Sequence, residues 1–109
     1  MFALSTLVAI AFVRIVTNPA FRPIPTPLEH AVAVVDSLVA MPSCVMTGPG
    51  EKHWPLVRAL IQETGSHGKH VADAQHAAVA LENGCTWVTK DSDFDKFRKS
   101  GLRVQILTP

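Results

Sequence analysis

No residue before Glu29 is acidic, and charge of either sign is scarce throughout the chain. Asp, Glu, Lys and Arg make up 17% of it, against 48% apolar residues, and the net charge is +1. So apolar a composition excludes a disordered chain. The near-neutral balance removes any argument for nucleic-acid binding from overall charge, so such contact has to rest on local patches. The large apolar share implies more covered surface than in an average monomer, by a partner or a second copy. Cysteine is limited to Cys44 and Cys85, both in apolar, strand-like runs with no CxxC spacing. The pair reads as buried free thiols of a reducing compartment in preference to a disulfide.

Long hydrophobic runs are also missing. The uncharged stretch Met1 to Val13 falls short of the roughly 20 apolar residues a bilayer needs. No basic residue precedes it, and no small-residue cleavage site separates it from Arg14, so it does not read as a secretory signal. Leu4, Leu7, Val8, Ala11 and Ile15 instead fall on one face of a helix. The expectation is a buried helix in a cytoplasmic protein without membrane association. A chain of 109 residues is one domain, residues 1–109.

What is present alternates helix with strand. The spacing predicts a first helix over about Ser5 to Val16, stopped by Asn18-Pro19. Pro19, Pro23, Pro25 and Pro27 mark an extended loop. A second helix is expected with Thr26 as N-cap, Pro27 at the first helical position and an apolar face of Leu28, Ala31, Val32, Val35 and Leu38-Val39. Ser43 to Thr47 reads as a strand closed by Gly48-Pro-Gly50. A third helix, His53 to Glu63, is expected to turn Trp54, Val57, Leu60 and Ile61 inward. A fourth, Val71 to Asn83, carries a small-residue face of Ala74, Ala77, Ala78 and Leu81, with Gly84 at its C′ position. Cys85 to Thr89 and Arg103 to Leu107 read as strands, with a helical turn or two over Asp93 to Lys99 between them. The order indicates an α/β sandwich with a mostly parallel sheet. Trp54 and Trp87 read as core residues, and His53, His67, His70, Glu82, Asp36 and Glu63 as polar surface.

The chemistry-bearing residues gather in the last third. Asp73 opens the fourth helix, where the dipole favours a carboxylate in any case. Asp91 and Asp93 follow the next strand in Thr89-Lys-Asp-Ser-Asp-Phe94, where such residues also cap turns. In a parallel α/β unit both positions lie at the carboxyl edge of the sheet, where ligands bind. Carboxylates brought together there repel each other unless a hard cation such as Mg²⁺ or Mn²⁺ neutralises them. Lys90, Lys96, Arg98, Lys99 and Arg103 surround the acidic turn. They are either contacts for RNA phosphates or the solvated face of a short helix.

This order of acid, alanine-rich helix, Gly, apolar strand and Thr-x-Asp-x-Asp-Phe resembles the C-terminal half of the PIN-domain ribonucleases, above all the VapC-type toxins of bacterial toxin–antitoxin pairs. Asp73-Ala74, Thr89 to Phe94, the Arg14 to Pro19 run with Phe21, and Thr26-Pro27 all carry the likeness. The resemblance implies a PIN-like three-layer sandwich and Mg²⁺- or Mn²⁺-dependent cleavage of RNA. It gives Asp73, Asp91 and Asp93 the catalytic, metal-holding roles, with Thr89 orienting a carboxylate or a water. The partners implied are a cognate antitoxin protein, an RNA substrate and a second copy of the chain.

The family also places one acid on an N-terminal central strand and another on a helix near Val8 to Ala11. Here that strand is lacking and alanines stand at Ala9 and Ala11. The expectation is an N-terminally truncated copy of low activity, because metal affinity follows the number and charge of ligands. A non-catalytic remnant that binds antitoxin or dimerises is the alternative. An EF-hand over Asp91, Asp93 and Asp95 fails on Lys96 and Leu102, where Gly and a bidentate Glu are required. A zinc site from His67, His70, Asp73 and His76 is disfavoured because residues three apart drift around a helix. A small-molecule hydrolase lacks a Ser, Cys or His nucleophile arrangement in the turns.

Overall fold

The computed structural model describes residues 1–108. The chain forms two compact units, Met1–Gly48 and Pro49–Pro109. Each contains one parallel two-stranded sheet, so the chain is α/β with parallel strands as the residue pattern implies.

In the first unit, strand β1 (Phe2–Ser5) leads directly into helix α1 (Thr6–Val16). Helix α2 (Leu28–Val39) then returns the chain to β2 (Cys44–Thr47), which pairs in register from Phe2 with Cys44 to Ser5 with Thr47. The sequence pattern did not reveal β1, because its four residues continue the uncharged run of the helix. What separates them is Ser5, a buried N-cap whose Oγ accepts from the Leu7 amide at 3.2 Å. The Thr6 hydroxyl donates to the Thr47 carbonyl at 3.1 Å, tying the helix start to the end of the neighbouring strand.

Two expectations are corrected here. Thr26 does not cap α2. Pro27 is the N-cap residue and its carbonyl accepts from the amides of His30 and Ala31, while the Thr26 amide donates to Val16. Proline has no side-chain acceptor, so the first turn is closed by backbone alone. Nor is α1 a buried helix. Ala9 is its one buried residue and Ala31 the one on α2, while Ile10 is 61% and Leu28 60% exposed. Two helices packed on each other bury one stripe apiece, and α1 and α2 are apolar around more of their circumference than one stripe.

In the second unit, α3 (His53–Thr64) packs on α4 (His70–Glu82). β3 (Trp87–Thr89), a 3₁₀ helix (Ser92–Ser100) and β4 (Val104–Ile106) follow, with β3 and β4 parallel. The alanine face of α4 is the centre of the core. Ala74, Ala77 and Ala78 are wholly inaccessible, as is Phe97, and Val57, Leu60, Phe94, Leu102 and Val104 close around them. Methyl groups let neighbouring backbones approach to the short end of helix-packing distances. Gly84, at φ +65°, ends α4 in the left-handed conformation that the C′ position needs.

Val57, Leu60 and Ile61 face the core from α3 as the hydropathy pattern predicts, but the stripe does not include Trp54. It runs His53, Val57, Leu60 and Thr64, whereas Trp54 is 63% exposed. His53 and Glu82, both expected on the surface, form a half-buried pair with Nδ1 and Oε2 at 2.8 Å. The other Glu82 oxygen accepts from the Gly50 amide. A side chain at Gly50 would put its Cβ 2.9 Å from that oxygen, so the Glu82 carboxylate would have to shift to admit one. The free thiols Cys44 and Cys85 are half-buried rather than buried.

Glu82→Ala removes the acceptor for both the His53 ring and the Gly50 amide. The expected loss of stability is about 1–3 kcal/mol, the usual cost of orphaning partly buried donors. Denaturant unfolding of the variant beside the parent checks this, and an unchanged midpoint would mean the pair is idle.

Candidate functional site

Asp73 stands in the first turn of α4, half-buried, where the helix dipole favours its charge. The Lys69 N-cap supplies no side-chain bond, so Asp73 and the His70 ring, 3.4 Å from its Oδ2, are the polar groups at this helix start. Asp91 is the N-cap of the 3₁₀ helix. One of its oxygens accepts from the Asp93 amide at 2.9 Å, and its own amide donates to the Thr89 hydroxyl at 3.1 Å. Thr89 therefore shapes the turn, and no bond to the second Asp91 oxygen is formed among the described residues. Asp93 and Asp95 follow in the first turn, both exposed.

The link between these stretches is aromatic. His76, one turn beyond Asp73, stacks on Trp87 of β3 with ring centres 5.4 Å apart and planes within 16°. Trp87 in turn meets Phe94 at 5.1 Å, and Phe94 meets Phe97 at 6.0 Å. Trp87 is thus a half-buried part of the core margin, as read from the sequence. His76 Nδ1 and Trp87 Nε1 are buried with no hydrogen-bond partner among the described residues. Each such atom costs about 1–3 kcal/mol that the stacking has to offset.

A divalent cation asks for several oxygen donors converging on one point. Among the described residues, no group of three or more His, Cys, Asp or Glu side chains is arranged to hold a metal ion. Asp73, Asp91 and Asp93 therefore do not by themselves fit a bound Mg²⁺ or Mn²⁺, and no reaction step follows from an ion held by them alone. The zinc pattern is likewise dispersed. His67 lies exposed against the Gly65 carbonyl, His70 beside Asp73 and His76 on the tryptophan.

The basic residues around the turn divide. Arg98 pairs with Asp95 at 2.7 Å in a half-exposed bridge, and Lys96 lies over the Phe97 ring at 5.2 Å. Arg103 donates to the Gly84 carbonyl at 2.7 Å, so it closes the end of α4 instead of facing a ligand. Lys90 and Lys99 are exposed, with no partner among the described residues. His76 was considered in the sequence only as a metal ligand. A histidine three residues after the helix acid, followed by a strand beginning at tryptophan, is the signal that marks it.

The PIN domain family pattern matches residues 2–100, and the chain belongs to that family. It is similar to the VapC ribonuclease Mb2897 of Mycobacterium bovis and to ribonuclease VapC43 of Mycobacterium tuberculosis. Each is 41% identical over 88 residues, covering 81% of this chain and 60% of the relative. Ribonuclease VapC31 of Mycobacterium tuberculosis is 36% identical over 96 residues, covering 88% of this chain and 68% of the relative. The chain thus spans about 60% of the length of the first of these relatives.

Burial holds His76 below its ordinary value of 6.5, and the Asp73 charge offsets part of that effect. The folded chain then resists a proton that the unfolded chain accepts. The His76 contribution to stability is therefore complete above about pH 6.5 and is lost as pH falls from there through the folded value. His76→Phe, which keeps a ring on Trp87 but cannot titrate, is expected to flatten the fall in melting temperature between neutral and mildly acidic pH. Parallel melting curves across that range check the sign.

Proposed function

We propose that this chain is a PIN-type endoribonuclease, the toxin half of a type II toxin–antitoxin pair, in which Asp73, Asp91 and Asp93 form the acidic side of the site. The observation that carries the reading is the placement of two acids, one at the start of α4 and one just past β3, in a chain of this family. The similarity to ribonucleases named VapC supports phosphodiester cleavage as the chemistry. Mg²⁺ or Mn²⁺ is the cofactor that this kinship implies. A working site needs more donors than the three carboxylates supply as arranged, so cleavage by this chain is slow. Residues 1–109 act as a single PIN-like domain, a reading supported by a family match that runs through both compact units.

The partners in this reading are RNA, an antitoxin protein and a second copy of the chain. Lys90 and Lys99 offer free cations to RNA phosphates beside the acidic turn, while Lys96 and Arg98 are partly engaged within the chain. The groove between α1 and α2, lined by Ala9, Ile10, Val13, Val32 and Val35 with Arg14 and Asp36, supports association through those helices. Among the described residues no helix is long and apolar enough to cross a membrane, which is compatible with a cytoplasmic setting.

A second reading is favoured because no three such donors converge among the described residues: a non-catalytic PIN chain that binds antitoxin or dimerises. Cleavage of a mixed structured RNA in millimolar Mg²⁺ or Mn²⁺ separates the two. Slow cleavage, lost in Asp73→Asn and Asp91→Asn, is the expected result. Asparagine keeps the N-cap at position 91, so that variant removes charge without the roughly 1 kcal/mol cost of an uncapped turn. No cleavage, together with a melting temperature that Mn²⁺ leaves unmoved, transfers the assignment to the second reading.

A further inference from the structure

The polar atoms that His76 and Trp87 leave unpaired point to a task other than filling the core. An aliphatic side chain at position 76 would occupy the same space without burying an unbonded ring nitrogen. The nearly parallel rings bridge α4 to β3 at one point on each element. Asp73 lies one turn before His76, about 4.5 Å along the helix axis. The chain turns back after α4 ends at Glu82, because Trp87 at the start of β3 reaches His76, six residues before that end, and Asp91 follows β3 by two residues. The stack thus joins the helix that carries Asp73 to the strand that leads into Asp91. Phe94, resting on the other contact of Trp87, anchors the far end of the turn that holds Asp91 and Asp93.

We propose that His76 and Trp87 are positioning residues: their stacked rings form a clamp that sets the spacing between the Asp73 carboxylate on α4 and the Asp91 carboxylate after β3. The proposal rests on reading those acids as one site, and its ring-to-ring geometry stands apart from what the site cuts. A flat ring at position 76 is the requirement. Its charge and its buried ring nitrogen are secondary, since Nδ1 has no hydrogen-bond partner among the described residues.

Spacing is measured directly by cross-linking. In a Cys44→Ser, Cys85→Ser background, Asp73→Cys and Asp91→Cys are joined with a short bis-alkylating reagent that spans neighbouring side chains. Ring-dependent closure is expected: His76→Phe reacts like the parent, whereas His76→Ala slows cross-linking about tenfold by lowering effective concentration. His76→Leu restores volume without a flat face and is expected to slow it equally, which keeps the test valid if the alanine variant does not fold. Equal rates in the phenylalanine, alanine and leucine variants, or no cross-link in the parent, would overturn the clamp. RNA cleavage is followed on the same His76 variants carrying native aspartates. A ring-dependent kcat at constant KM supports the clamp in function. A parent that cuts no RNA yet keeps the ring-dependent cross-link would sink the nuclease reading and leave the clamp standing.

Discussion

Close packing against the alanine face of α4 is the constraint from which the second unit follows. Ala74, Ala77 and Ala78 are inaccessible because methyl side chains admit neighbouring backbone and Phe97 at short range. A larger residue at any of these positions would force α4 away from the elements on which its polar ends depend. At its start is Asp73, beside His70 and one turn from the His76–Trp87 stack. At its end is Glu82, holding the His53 ring and the Gly50 amide. The helix thus acts as a rigid spacer between two acids held in different surroundings.

The first unit is organised by a different balance. β1 and β2 pair over four residues each, and α1 and α2 bury one alanine each. The remaining Ile, Leu, Val and Phe side chains of those helices stay partly or largely in contact with solvent. Burial is favourable at roughly 25 cal/mol per Å² of apolar surface, so these faces carry a standing drive toward association. That drive is consistent with the antitoxin and second-copy partners proposed above, and it accounts for an apolar share that the chain's own core does not use.

Much of the C-terminal architecture was legible residue by residue. Gly84 at C′, the alanine stripe and the position of Asp91 as a turn cap all follow from backbone chemistry acting within a few positions. Where the reading failed, the deciding contact came from elsewhere in the chain. Trp54 looked like core because it shares a helical period with Val57 and Ile61, but the inward stripe passes through the polar His53, which Glu82 draws in. Arg103 looked available to a phosphate until the Gly84 carbonyl claimed it. The strand Phe2–Ser5 was invisible because a run without charge has no periodicity to separate strand from helix.

By itself the sequence determined the alternation of helix and strand, the family to which the chain belongs, and that Asp73 opens a helix while Asp91 follows a strand. Those properties depend on local backbone preference and on the order of a few short motifs. Only the tertiary structure decided which partner each carboxylate takes, which tryptophan is packed, and that two rings join α4 to β3. Each of these depends on side chains that come together only after the chain folds, and hydrophobic periodicity does not encode such pairings.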